Sequence, residues 1–207
     1  MGNEDLLARI SKTVTKCERC RLARTRIKAV PGIGNPKTKL ILIGEAPGMN
    51  EDRQGLPFVG RAGQLLNELL TSIKMTREDV WIGNVIKCRP PENREPMVDE
   101  LRACIPYLDD QIKAISPSVI ITLGRHAMEH FLKDSKISRD HGVAKLVGNF
   151  IIYPVYHPAA ALRSENVKRV LKEDFLKIPE ILNRDRKEFE VAGGNTKKGD
   201  ANQMSLV

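Results

Sequence analysis

Long hydrophobic runs are missing from this 207-residue chain. Its apolar stretches end after a handful of residues, far short of the ~20 that a membrane helix needs. The opening residues, MGNEDLLARISK, carry acids early and have no apolar leader core, so no secretory signal is expected. Leu6 stands where a myristoylation signal wants Ser or Thr. Internal repeats are absent as well. These absences argue against membrane, secreted and solenoid classes and point to a cytoplasmic protein. Cysteine is scarce, at four residues, and a reducing compartment disfavours disulfides and favours metal binding.

What is there is an ordinary globular composition, 41% hydrophobic and 29% charged, in a chain long enough for one domain with a real core. The formal net charge of +8 predicts affinity for a polyanion, of which nucleic acid is the commonest inside a cell. A solvated basic surface is the bland alternative.

All four cysteines fit one purpose. Cys17 and Cys20 form a C-x-x-C pair, and Cys88 and Cys104 follow far downstream. Two close and two distant thiols are the ligand set of a four-thiolate metal site. Spacing alone does not separate zinc from iron–sulfur.

Continuous apolar runs at Leu40–Ile43, Val80–Ile86, Val119–Leu123 and Phe150–Tyr156 read as strands buried on both faces. Helical spacing recurs over 4–14, 65–73, 98–112, from Gly124 onward, and over 165–183. Strands alternating with helices predict a parallel sheet covered on both sides. Residues 1–184 are expected to form a single domain. The polar stretch 185–207 is expected to be a disordered tail.

Polar residues at the strand ends carry the functional signal. Glu45 follows the first strand, Asn84 lies near the end of the second, and His157 follows the fourth. Ligands of open α/β sheets bind beyond the carboxyl ends of the strands, so these three are expected to share a crevice. Gly44-Glu45-Ala46-Pro47-Gly48 is a stiff loop that matches neither the dinucleotide fingerprint nor the P-loop. Glu51 in the same loop is a candidate general base, against a solvated acid as the plain reading. Phe58 is either core or a stacking platform for a planar ligand. Asn84, set in an apolar strand, is either a buried structural amide or a reader of a base edge. Arg61 and Gly63 open a helix whose N-terminus suits phosphate, or simply packs closely. Arg89 and Arg94 sit in a proline-stiffened loop beside Cys88 and are candidate phosphate contacts.

Together these segments resemble the family-four uracil-DNA glycosylases, the iron–sulfur type of archaea and thermophilic bacteria. The pieces are Gly44–Gly48 with Glu51-Asp52, Pro57 through Leu66, Asn84 through Arg94, His157-Pro158-Ala159-Ala160, and the four cysteines. The resemblance spans about Cys17 to Arg163. It implies a three-layer α/β/α sandwich around a four-stranded parallel sheet, with a [4Fe-4S] cluster on Cys17, Cys20, Cys88 and Cys104. It implies that a uracil nucleotide is flipped out of DNA, single- or double-stranded, and that its N-glycosidic bond is hydrolysed to an abasic site. Gly44, Phe58, Asn84 and His157 would form the uracil pocket. His157 would donate to O2 of the departing base. Leu162 and Arg163 would enter or grip the duplex. The wider superfamily carries a water-positioning aspartate where this chain has Ala46. Glu51 and Asn93 are expected to share that role, with Glu45 in support.

Two other readings remain at this stage. A glycosylase for hypoxanthine or xanthine would use the same pocket, although Asn84 and Phe58 favour uracil. A non-catalytic iron–sulfur DNA-binding module would leave Glu45, Glu51, Asn84 and His157 without a joint purpose. A monomer associated with the nucleoid is expected. The end of the tail, Gln203 to Val207, is similar to the start of a sliding-clamp-binding peptide and lacks its closing aromatic pair.

Overall fold

The computed structural model describes residues 2–192. In chain order the elements are α1 (Asn3–Thr15), β1 (Ile33–Gly34), β2 (Leu40–Gly44), α2 (Met49–Gln54), α3 (Arg61–Ser72), β3 (Trp81–Asn84), α4 (Val98–Ile115), β4 (Val119–Leu123), α5 (Arg125–Phe131), α6 (Ile137–Asp140), β5 (Lys145–Val147), β6 (Phe150–Val155), α7 (Pro158–Ala161), α8 (Glu165–Leu176), α9 (Ile178–Asn183) and β7 (Glu190–Val191). Three-residue 3-10 turns at Pro91–Asn93 and Arg186–Glu188, and a longer one at Arg21–Arg24, join them.

The strands form one sheet in the order β1-β3-β2-β4-β6-β5-β7. Its centre, β3-β2-β4-β6, is parallel, as the four apolar runs predict. The short outer strands β1 and β5 run antiparallel to β3 and β6, and the edge strand β7 lies parallel to β5. Alternate strand residues face two separate cores. Ile41, Ile43, Trp81, Ile120 and Ile152 meet residues of α1, α4 and α5 on one face. Leu40, Leu42, Ile82, Ile121 and Tyr153 meet α3 and α8 on the other. The result is the expected three-layer α/β/α sandwich.

Chain order and sheet order place the site. From β2 the chain moves outward to β3, then crosses back to β4 on the other side of β2. The loops after β2 and its neighbours therefore part at the carboxyl end of the sheet and leave a crevice there.

Two expectations need correction. The helix expected over 165–183 is two helices, α8 and α9, separated at Lys177. Pro179 lies in the first turn of α9, where its missing N–H leaves no helical bond unmade. The domain also continues past Asp185. Phe189 is buried beneath the Arg184 guanidinium, and β7 pairs with β5 through Lys145–Glu190 and Leu146–Val191. Residues 185–192 thus belong to the fold, because one aromatic anchor and an open strand edge hold a segment whose composition is polar. The clamp-like peptide at 203–207 lies outside the described residues.

Candidate active site

Gly44 ends β2 and stands opposite Asn84, the last residue of β3. A Cβ on Gly44 would collide with the Asn84 amide oxygen and come within 2.7 Å of the Phe58 ring. Glycine therefore keeps open the floor on which these two side chains meet. Above it lies a cleft of about 430 Å³ lined by Glu45, Glu51, Phe58, Asn84, Asn93 and His157, among others. The three strand ends converge as expected.

Asn84 is 2% exposed, and its Oδ1 is buried without a hydrogen-bond partner among the described residues. Such a group is costly to leave unmet, about 1–3 kcal/mol. It marks where a ligand's donor belongs. Phe58 is buried beside it with φ at +53°, a left-handed backbone that a bulky residue rarely adopts. Its ring and that of His157 lie 5.8 Å apart at 28°.

His157 caps α7. Its Nδ1 accepts the Ala159 N–H at 3.0 Å, so in the neutral ring the proton sits on Nε2. Burial pushes the imidazole down to about 4, outweighing the upward pull of Glu51. At neutral pH the side chain is therefore an uncharged Nε2–H donor.

Glu51, on α2, has one oxygen fixed. Oε1 accepts the N–H groups of Val59 and Gly60, both at 2.9 Å. Asn93 follows a turn in which Glu92 and Asn93 both have positive φ, and its Oδ1 accepts from Arg89 Nε at 2.7 Å. Arg89 thus orients an amide. Glu45 lies with Oε2 3.8 Å from His126 Nε2, and burial raises its pKa. His126, in turn, is 3.0 Å from Glu95.

The expected phosphate contacts separate into distinct groups. Arg163 lines the cleft and Leu162, 37% exposed, stands beside it. Arg61 is exposed at the start of α3. Arg94 also lines the cleft, and its guanidinium forms a two-point pair with buried Glu100 at 2.6 and 2.8 Å that fixes its position there. Gly63 is buried, and a Cβ there would collide with the Phe58 carbonyl group. Close packing, the plain alternative, accounts for this glycine.

The four cysteines share one cavity near α1 and α4, together with Arg26, Lys87 and Tyr107. None is in a disulfide. Three donors point at sulfur: Arg26 Nη1 at 3.0 Å from Cys88, Lys87 N at 3.2 Å from Cys104, and Arg19 N at 3.5 Å from Cys17. Donors of this kind stabilise thiolates, and the donor set fits a metal-thiolate centre. Burial raises the Cys88 pKa and pushes the Cys104 thiol up to about 11, so a metal would have to drive their deprotonation. Among the described residues no three His, Cys, Asp or Glu side chains are arranged to hold a single metal ion.

Three residues escaped the reading of the sequence. Arg77 bonds the Pro57 and Phe58 carbonyls, His126 faces Glu45, and Lys87, 1% exposed, bonds the Asn84 carbonyl at 2.8 Å and Gln111 at 2.7 Å. Lys87 alone had a local signal, a charge embedded between Ile86 and Cys88 at the end of an apolar run.

Comparison with known proteins agrees with the geometry. The family profile described as the Uracil DNA glycosylase superfamily matches residues 31–178. A type-4 uracil-DNA glycosylase of Saccharolobus solfataricus is 47% identical over 88% of this chain and 88% of its own length. One from Thermotoga maritima is 41% identical over 88% of this chain and 97% of its own length. A type-5 uracil-DNA glycosylase of Thermus thermophilus is 30% identical over 73% of the chain. With the cleft residues inside the matched span, the chain belongs to the uracil-DNA glycosylase superfamily, among its type-4 members.

Proposed function

We propose that this protein excises uracil from DNA by hydrolysis of the N-glycosidic bond, leaving an abasic site. One observation carries the reading: the unpartnered Oδ1 of Asn84 beside Phe58, in a cleft that also receives the Nε2–H of His157. Uracil presents an O4 acceptor beside an N3–H donor. An asparagine amide complements both, with Oδ1 taking the N3–H and Nδ2 donating to O4. Cytosine presents the reverse pattern and would leave two buried groups unpaired, which rejects it strongly.

The base reaches this cleft only when its nucleotide leaves the stack. Phe58 then offers an apolar face to it. As the bond between C1′ and N1 breaks, its electron pair moves into the base and negative charge gathers at O2. The neutral Nε2–H of His157 donates to that oxygen, in a site where a fixed donor needs no reorganisation. The sugar becomes oxocarbenium-like, a water adds its oxygen to C1′ and passes a proton to a carboxylate of the cleft, and the uracil anion takes up a proton as it leaves.

Glu51 and Asn93 are the residues we assign to that water. Both line the cleft, and each has its Oδ1 or Oε1 already bound. This leaves Glu51 Oε2 to accept from water and Asn93 Nδ2 to donate to it. Glu45 supports them from the next turn. Leu162 and Arg163 suit a wedge and a backbone grip on duplex DNA. Substrate in chromosomal DNA would bring the protein to the nucleoid. No helix among the described residues is long and apolar enough to cross a membrane.

We assign Cys17, Cys20, Cys88 and Cys104 as ligands of a [4Fe-4S] cluster. Four thiols lining one cavity, with N–H donors aimed at sulfur, support a metal-thiolate centre, and the resemblance to the iron–sulfur glycosylases favours the cluster over a single zinc. Bound there, the cluster supplies a cross-link between the end of α1, the loop after β3 and the middle of α4.

The test is release of free uracil from uracil-containing single- and double-stranded oligonucleotides without added metal, beside an Asn84→Ala control. Release by the wild type and its loss in the variant support both enzyme class and pocket. Release of hypoxanthine or xanthine, with uracil untouched, would redirect the reading to another deaminated base.

A further inference from the structure

Phe58 holds an unfavourable backbone conformation, and something must pay for it. A left-handed φ of +53° costs a bulky residue about 1–3 kcal/mol. Its ring nevertheless has to present one face to the cleft. Three side groups grip the loop around it. Glu51 takes the N–H groups of Val59 and Gly60. Gly63 lets α3 approach the Phe58 carbonyl closely. The third is Arg77, in the turn between α3 and β3, outside every segment that lines the cleft. Its Nη2 donates to Pro57 O at 2.6 Å, and its Nη1 donates to Phe58 O at 3.0 Å and to Asn67 Oδ1 at 3.2 Å.

The chemistry of this contact is informative. Arg77 is half-buried, and its hydrogen bonds to Pro57, Phe58 and Asn67 all go to uncharged oxygens. Burial lowers its pKa, with only Glu78 opposing. A half-buried guanidinium that makes no ion pair among the described residues is an expensive way to build a turn. It is, however, the one side chain whose planar fork reaches two successive carbonyls at once. Two successive carbonyls aimed at the same point fix the peptide between Pro57 and Phe58, and with it the direction of the Phe58 ring. A lysine keeps the charge but offers a single nitrogen.

We infer that Arg77 is a positioning residue for base recognition: its guanidinium clamps the Pro57 and Phe58 carbonyls and so holds the Phe58 ring against the flipped base. The inference rests on the glycosylase reading, in which Phe58 stacks on that base. It adds that stacking depends on a cation that never touches DNA or base.

The experiment is a double-mutant cycle with a structural readout. Single-turnover uracil release is measured for the wild type, Arg77→Met, Arg77→Lys, Phe58→Ala and the Arg77→Met/Phe58→Ala double variant. Amide hydrogen exchange is followed in the same proteins. We expect Arg77→Met to slow release by about 10- to 100-fold, from the loss of charged hydrogen bonds. Arg77→Lys should recover only part of that. In the Phe58→Ala background the Arg77 substitution should change little, because both act on one ring. Exchange should accelerate over residues 55–63 and stay unchanged in β2, β4 and β6.

Full multiplication of the two single effects would overturn the inference, as would unaltered exchange over 55–63. Faster exchange throughout the protein would show a general fold role instead and would overturn it too. Wild-type protein that releases no uracil would sink the glycosylase reading, whereas the exchange measurement would still decide whether Arg77 holds the loop.

Discussion

The backbone N–H of Ala159 lies 3.0 Å from Nδ1 of His157. That contact decides which ring nitrogen carries the proton, and so turns a histidine that could serve as a base into a donor. Pro158 at the start of α7 is compatible with it, since its missing N–H needs no partner there. His157 is the N-cap of α7, and the cap geometry brings the Ala159 N–H to its Nδ1. Replacing His157 with Ala removes the donor and should slow single-turnover uracil release by about 10²- to 10³-fold while the fold persists. Rapid-quench kinetics with circular dichroism on the same samples checks both halves.

The depressed pKa of His157 has a sign that can be tested. Its folded value of about 4 lies below the ordinary 6.5, so the unfolded chain binds this proton more readily. The neutral ring therefore favours the folded state above pH 6.5, and that contribution is lost as pH falls from there toward 4. Urea unfolding at pH 7 and pH 5 should show a larger loss of stability for the wild type than for His157→Gln. The rate profile should lack an inflection at about pH 6.5 from this group. A larger loss in the variant would contradict the assignment.

Gly44 supports a sharper steric prediction. A Cβ at this position collides with the Asn84 amide and reaches within 2.7 Å of the Phe58 ring. Gly44→Ala should lower uracil release by at least about 10-fold and reduce stability by about 1–3 kcal/mol through overpacking. Product binding should weaken in parallel, measurable as a higher inhibition constant for free uracil. Normal uracil affinity in Gly44→Ala would show that the pocket floor lies elsewhere.

Glu51→Ala and Asn93→Ala address the water. Each should slow the chemical step under single-turnover conditions by about 10-fold or more, as expected for groups that orient or activate a nucleophile. Glu51→Gln keeps an acceptor for Val59 and Gly60 and isolates the effect of Oε2. Near-full rates in both alanine variants would move the role to Glu45.

Cys88→Ser tests the metal-thiolate site apart from activity. It should abolish the brown colour and visible absorbance of an iron–sulfur protein and lower the melting temperature, since α1 would lose its tie to α4. Zinc with no iron in the wild type, by metal analysis, would replace the cluster with the simpler ion.

Legibility followed the range of the interactions involved. The runs Leu40–Ile43 and Val119–Leu123 are apolar on both faces, and that pattern marks a buried parallel strand without further help. The short outer strands β1, β5 and β7 contain two or three residues each and exist through their neighbours. Glu45, Asn84 and His157 stood out as polar groups at strand ends. The ion pair of Arg94 with Glu100 and the close approach of Gly63 to the Phe58 carbonyl were not legible, because packing across the fold chooses those partners.

By itself the sequence determined the alternation of strands and helices, the convergence of three polar residues on one end of a sheet, and the pairing of early and late cysteines. Those features follow from hydrophobic period and residue chemistry, which are local. Tertiary structure alone decided the proton's place on His157, the unmet oxygen of Asn84 and the clamp of Arg77 on Phe58. Each depends on a hydrogen bond made or withheld across the fold, and a bond's direction is set by geometry that no run of residues contains.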